Sequence, residues 1–272
     1  MKLATLRVGG VTTAARVDGG HAVELPAPDV GTLLRRHDWR AEAAATGGAR
    51  HELSGVDYAP VVPEPGKIVC VGLNYRNHIL EMGRELPEYP TLFAKYPEAL
   101  IGARDPVVLP AASGAVDWEA ELAIVVGERV RHAGTAAAER AIAGYSVLND
   151  VTARDFQYRT KQWLQGKTFE ATTPFGPHLV TTDEADLDAE ITTEVDGEVM
   201  QRSTVADLVF GPAELVSYIS GILPLNPGDV IASGTPGGVG HARTPARYLT
   251  EGSTLVTRVA GIGELVNVAR AE

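Results

Sequence analysis

At 272 residues the chain exceeds the ~100–150 residues of a usual single domain, and with 44% hydrophobic and 22% charged residues its composition excludes a disordered, collagenous or coiled-coil protein. Its 35 acidic residues outnumber 24 basic ones, and the field of a net charge of −11 repels polyanions, so neither nucleic acid nor an anionic membrane is expected as a partner. The single cysteine, Cys70, lies in the apolar run from Lys67 to Gly72, which predicts a buried, inert thiol and no intramolecular disulfide.

Residues 1–62 read as short strands (Leu3 to Val8, Thr12 to Val17, Ala22 to Leu25) followed by a helix from Val30 to Ala45. The stretch from Pro60 to Gly66 holds three prolines and a glycine, which predicts a boundary between a small N-terminal domain, 1–62, and a larger one, 63–272. Beyond it, runs rich in Val, Ile and Leu predict strands at Ile68 to Val71, Glu121 to Val126, Gly144 to Leu148, Ile191 to Val195, Asp229 to Ile231 and Ser253 to Val259. Helical periodicity is confined to Thr135 to Ala143, Ala153 to Leu164 and Thr204 to Leu223, so the fold class is α+β and rich in β. The chain opens without a basic stretch and apolar signal core, and no apolar run approaches the ~18 residues of a membrane span, giving the expectation of a cytoplasmic protein.

Chemistry concentrates in four places. In Asp117-Trp-Glu119-Ala-Glu121, strand alternation puts Glu119 and Glu121 on one face, and the apolar run that follows heads into a core. Carboxylates in such a place must be protonated, paired with bases or bound to a cation, unless the strand end is solvated. Asp150 follows the strand ending at Leu148. It reads either as a helix N-cap or, if the two strands are neighbours, as a third carboxylate in an all-oxygen set suited to Mg²⁺ or Mn²⁺ rather than zinc. In Gly72-Leu-Asn-Tyr-Arg-Asn-His78-Ile-Leu-Glu81, a three-residue spacing lets Glu81 orient His78 as a general base. The other six histidines, His37 and His132 among them, are assigned no role. The glycine-rich Gly234-Thr235-Pro-Gly-Gly-Val-Gly240 lacks a nucleotide-binding pattern and reads as a tight turn bringing backbone amides and Thr235 near a ligand.

Together with Asn149-Asp-Val-Thr-Ala-Arg-Asp155, Gly166-Lys167, Pro174-Phe-Gly-Pro177 and Asn226-Pro-Gly-Asp229, these motifs resemble, in the same order, those of the fumarylacetoacetate hydrolase family over about residues 65–270. The resemblance implies a mixed β-sheet roll, usually dimeric, with Mg²⁺ or Mn²⁺ held by Glu119, Glu121 and Asp150. It implies His78 and Glu81 as a water-activating dyad and Arg154, Gln157, Lys167 and Thr235 around the substrate. Glu170-Ala-Thr172 departs from the Asp and Thr-Phe that many relatives carry after the lysine motif, which bears on substrate identity.

The implied activity is hydrolysis of a C–C bond in a 2,4-dioxo acid of acylpyruvate or fumarylpyruvate type, as in aromatic catabolism, giving pyruvate and a carboxylic acid. Lys167 or an amide near Thr235 would stabilise the oxyanion. Oxaloacetate decarboxylation, isomerisation or hydration of unsaturated 2-oxo diacids, and non-catalytic 2-oxo acid binding are the competing readings. A homodimer is expected from the resemblance and from the apolar stretch Ala213 to Leu225, and a mobile lid is expected from Tyr75 to Pro97.

Overall fold

The computed structural model describes residues 1–272 except Thr46, Met82 and Arg84, and the side chains of His78 and Glu81 also lie outside the described residues. A long mixed sheet carries the molecule. Its strands run in the order Arg50–Glu52, His21–Glu24, Val11–Asp18, Lys2–Val8, Thr173–Thr181, Ile142–Asn149, Ala120–Val126, Val230–Ala232, Ile68–Gly72 and Thr91–Lys95. A second sheet runs Glu198–Thr204, Glu190–Val195, Thr254–Val259, Gly263–Ala271 and Val107–Leu109. Pairing is mostly antiparallel, with Val230–Ala232 parallel to Ile68–Gly72.

The two central strands, Ala120–Val126 and Ile142–Asn149, are buried along their whole length. Alternation splits their side chains between two cores. Ala120, Leu122, Ile124 and Val126 join one cluster with Val147, Ile219 and Ile231, while Ala123 and Val125 join another with Cys70, Leu148 and Phe175. Glu121 falls in the phase of Ala123 and Val125, so the register Ala120↔Asn149 that pairs the strands also sets which way the acid faces. Where Ile142–Asn149 meets Thr173–Thr181 the register shifts between Tyr145 and Val147, and a Cβ on Gly144 would run into the carbonyl of Val180.

Most predicted strands sit within a residue or two of their observed bounds. The predicted helix from Val30 to Ala45 is two helices, Val30–Leu34, capped by Asp29 accepting from the Thr32 amide at 2.7 Å, and Trp39–Ala44. The predicted helix from Ala153 to Leu164 is likewise two short ones, Arg154–Gln157 and Leu164–Lys167, and that from Thr204 to Leu223 contracts to Pro212–Ile222, with Pro at its first turn. Thr173–Thr181 escapes sequence reading because Pro174 and Pro177 argue against a strand, yet it is an inner strand of the long sheet. Thr91–Lys95, inside the tract expected to form a lid, is hydrogen-bonded in register with Ile68–Gly72, so that end of the tract belongs to the sheet.

Lys2–Val8 pairs with Thr173–Thr181 (Lys2↔Val180, Leu3↔Leu179), and Leu3, Leu6, Val30 and Leu33 lie in the same two clusters as the central strands. We propose a boundary in chain organisation near residue 62; across it the two segments share one sheet and both clusters. Helix Pro212–Ile222 buries Leu215, Val216 and Ile219 within its own chain, which accounts for the apolar excess of that stretch. Cys70 is buried, and burial holds its thiol above its ordinary value. Among the described residues no helix is long and apolar enough to cross a membrane. Truncating Leu122, fully buried between the sheets, to Ala is expected to cost about 2–5 kcal/mol by urea unfolding, with the cavity left behind setting the value.

Candidate active site

The register Ala120↔Asn149 brings the three predicted acids to one end of two adjacent strands. Glu119 immediately precedes its strand, Glu121 is the second residue of that strand, and Asp150 immediately follows the partner strand. The Asp150 amide donates to the Glu119 carbonyl at 2.8 Å. The next helix begins only at Arg154 with Ala153 as its cap, so Asp150 is not an N-cap; its side chain joins the acid cluster instead. Ligand oxygens of Glu119, Glu121 and Asp150 all lie within 4.8 Å of one another, and all three residues are buried.

Counter-charges surround them. Lys167 Nζ lies 2.6 Å from Glu119 Oε2 and 2.8 Å from Asp150 Oδ2. Lys95 Nζ donates to Thr173 Oγ1 at 2.7 Å and faces Asp150 Oδ1 at 2.9 Å without hydrogen-bond alignment. Arg154 sends Nε to Asp117 Oδ2 at 2.8 Å and Nη1 to Glu119 Oε1 at 2.7 Å and Gln157 Oε1 at 2.9 Å. Its Nη2 is buried with no hydrogen-bond partner among the described residues. Burial opposes ionisation of Asp150, but Lys167 and Lys95 outweigh it and hold the carboxyl below its ordinary value. Burial likewise disfavours the Lys167 ammonium, and Asp150 and Glu119 overcome it, so Lys167 stays charged well above its usual range.

Glu121 is the exception. It accepts from the Gly234 amide at 2.8 Å and pairs with no lysine or arginine among the described residues. Burial first, then the charges of Asp150 and Glu119, push its carboxyl well above the ordinary value. An acid so placed has a use for a further cation. The donor set, three carboxylates with no thiolate or imidazole, fits a hard divalent ion such as Mg²⁺ or Mn²⁺.

The floor of acids opens into a cavity of about 210 Å³ lined by Glu119, Glu121, Arg154, Gln157, Lys167 and Thr235, with Val71, Phe93, Trp163 and Val239 as apolar walls. Six of the nine residues picked from sequence are therefore on one surface, with Asp150 just beneath it. The expected dyad falls on side chains outside the described residues: His78 and Glu81 belong to the helix Arg76–Glu81. Asn74, just ahead of that helix, holds its start in place by donating to the Ser233 carbonyl at 2.8 Å and accepting from the Phe210 amide at 2.8 Å.

Sequence reading missed several supports. Asp117 carries four bonds, from Arg154 Nε and from the amides of Trp118, Gly240 and His241, at 2.7–2.9 Å, and so ties the glycine-rich turn to the acids. The amides of this turn, expected to face a ligand, are thus partly engaged by carboxylates, and Gly234 reaches Glu121 with φ of +101°, a conformation that favours glycine. Gln201 donates to Thr235 Oγ1 at 2.8 Å and accepts from the Ala120 amide at 3.0 Å, and Asn149 accepts from the Glu119 amide at 2.9 Å. His241, set aside with the other histidines, lines the cavity. Asp117 and Asn149 stood inside quoted motifs, whereas Lys95 and Gln201 carried no local signal.

A family model for the fumarylacetoacetate hydrolase C-terminal domain matches residues 67–270. The chain belongs to the fumarylacetoacetate hydrolase family. It is 41% identical over 218 residues to the mitochondrial oxaloacetate tautomerase of Bos taurus, covering 79% of this chain and 69% of the relative. Two solved structures match over the whole of this chain. The fumarylacetoacetate hydrolase of Exiguobacterium antarcticum has a TM-score of 0.90 at 30% identity over 100% of its own chain. The 5-carboxymethyl-2-hydroxymuconate delta-isomerase of Mycobacterium smegmatis has a TM-score of 0.83 at 32% identity, again over 100% of its chain. The family is one of enzymes acting on small molecules, including tautomerases, isomerases and hydrolases.

Two outcomes follow from the charge balance. Lys167→Met leaves Glu119 and Asp150 without their shared ammonium and is expected to destabilise the ion-free protein by about 3–5 kcal/mol. Thermal melts should then show a larger rise on adding Mn²⁺ for the variant than for the parent. Because the Glu121 carboxyl is raised, it holds its proton further up the pH scale, and a cation must displace that proton. Mn²⁺ affinity measured by calorimetry should therefore increase with pH below the raised value, and Glu121→Gln should flatten the dependence.

Proposed function

We propose that this protein is a divalent-cation-dependent enzyme that enolises 2-oxo acids, interconverting keto and enol forms of a substrate such as oxaloacetate. The observation that carries the reading is the buried cluster of Glu119, Glu121 and Asp150 at the floor of a cavity that also holds Lys167 and Arg154. The relative named as an oxaloacetate tautomerase and the structural neighbour named as an isomerase support it. When bound by Glu119, Glu121 and Asp150, a Mg²⁺ or Mn²⁺ ion supplies Lewis-acid stabilisation of negative charge developing on a 2-oxo oxygen.

The chain's own residues do the rest. Arg154, clamped by Asp117 and Glu119, lines the substrate space and places its guanidinium charge where it attracts a substrate carboxylate. Lys167 keeps Glu119 and Asp150 ionised, and with both its short bonds on those acids its first role is to hold the floor rather than to reach an oxyanion. Gln157 and Thr235 border the substrate space, Thr235 held by Gln201. Val71, Phe93 and Trp163 keep one side of the cavity apolar, which strengthens every charge interaction within it. The family resemblance assigns His78 and Glu81 the transfer of the proton between the substrate carbon next to the 2-oxo group and the enol oxygen.

Hydrolysis of a 2,4-dioxo acid is the second reading. The same dyad can take a proton from water, and the intact His78 and Glu81 motif, Gly72 to Glu81, favours it over decarboxylation, which needs no base. A homodimer is part of the proposal by family resemblance, and light scattering at micromolar concentration checks it.

The decisive test is the purified protein with Mg²⁺ or Mn²⁺, following the enol absorbance of oxaloacetate and the release of pyruvate from acylpyruvates. Accelerated keto–enol exchange without pyruvate release supports tautomerisation, and stoichiometric pyruvate release from an acylpyruvate supports the hydrolase instead. Glu121→Ala should abolish the metal-dependent rate, and His78→Ala should lower it ~10²–10⁴-fold, the usual contribution of a positioned base. Full activity of Glu121→Ala in excess chelator would overturn the reading.

A further inference from the structure

We propose that His241 is a specificity residue, recognising the distal carboxylate of a 2-oxo diacid such as oxaloacetate. This rests on the 2-oxo acid reading above and adds to it the residue that reads the far end of the substrate. The cavity has a depth gradient: Glu119 and Glu121 at its floor are 7% and 1% exposed, whereas His241 on the same cavity is exposed at its mouth. Val71, Phe93, Trp163 and Val239 share the lining of the same cavity and offer apolar surface that suits a short carbon chain. A 2-oxo carboxylate head on the floor thus directs the other end of the molecule toward the imidazole.

The His241 ring is fixed before any ligand arrives. Its backbone amide donates to Asp117 Oδ2 at 2.9 Å, its Nδ1 lies 2.8 Å from Tyr248 Oη, and its ring sits 5.3 Å from that of Tyr158, tilted by 33°. With Nδ1 accepting the Tyr248 hydroxyl proton, Nε2 carries the N–H, and it makes no hydrogen bond among the described residues. Asp117, the nearest acid bonded to this residue, is already neutralised by Arg154 at 2.8 Å and does not repel an incoming carboxylate. A held imidazole with one free N–H at the mouth of a cavity is a preorganised donor, and a carboxylate is the acceptor that gains most from it.

The test compares two ligands that share a 2-oxo acid head and length, 2-oxoglutarate and 2-oxovalerate, by equilibrium calorimetry on the protein in Mg²⁺ buffer, where reversible enolisation consumes neither. The parent protein should prefer the diacid by about tenfold or more, the range of a charge-assisted hydrogen bond. His241→Ala should bring that ratio to near one, and Tyr248→Phe, which frees the ring, should lower it part of the way. His241→Gln, whose amide nitrogen falls near the position of Nε2, should restore part of the preference and covers the case in which the alanine variant fails to fold. A parent that binds both ligands without preference, or variants that keep the full preference, overturns the role of His241 alone. Failure of the parent to bind either ligand overturns the 2-oxo acid reading and the inference with it.

Discussion

Four carboxylates are packed into one end of a buried sheet, and the cost of keeping charge out of water dictates what stands around them. An isolated buried carboxylate is disfavoured by several kcal/mol even after relaxation, so each of Asp117, Glu119 and Asp150 has a basic partner within 3 Å, and Glu121 has a backbone amide. The partners come from separate parts of the chain. Lys95 ends the strand Thr91–Lys95, Arg154 and Lys167 sit on two short helices, and Gly234 follows the strand Val230–Ala232. Bringing these together requires the half of the long sheet from Ile142–Asn149 to Thr91–Lys95 to be formed, so the site depends on that part of the fold.

Neutral polar residues refine what the charges hold. Asn149, Gln201 and Asn74 are buried and bond chiefly to backbone groups, linking the acid-bearing strand to the second sheet, the glycine-rich turn and the segment that leads to His78. Each satisfies backbone groups that the irregular ends of strands would leave unpaired. The result is a rigid floor supported from both sheets beneath a mouth made of loop residues, a division suited to fixed chemistry and adaptable recognition.

Much of this was legible in the sequence because the relevant signals are local. The Val, Ile and Leu runs located the central strands, and the strand phase of Glu119 and Glu121 followed from two-residue alternation. The convergence of Asp150 depended on strand adjacency, a long-range fact that only the family resemblance supplied. What escapes is tertiary: Lys95 is a lone lysine in a mostly apolar stretch, Thr91 to Leu100, that matches no motif, Gln201 carries no motif, and Thr173–Thr181 hides behind its prolines. The Val30 to Ala45 helix was overextended because residues 35–38, charged and unbroken by Gly or Pro, give no turn signal. His241 was passed over since nothing in its sequence neighbourhood marks it; its significance comes from the cavity it borders.

Among the described residues, Asp117 grips the glycine-rich turn through the amides of residues 240 and 241. Main-chain bonding of this kind is blind to side-chain identity, so position 241 can be exchanged for almost any residue while the turn and the acids behind it keep their places. With His241 as the proposed reader of the far end of the substrate, ligand preference and catalytic machinery become separable traits. A lineage with this architecture can drift from one substrate to another by point changes at the rim, without passing through a form that has lost its chemistry.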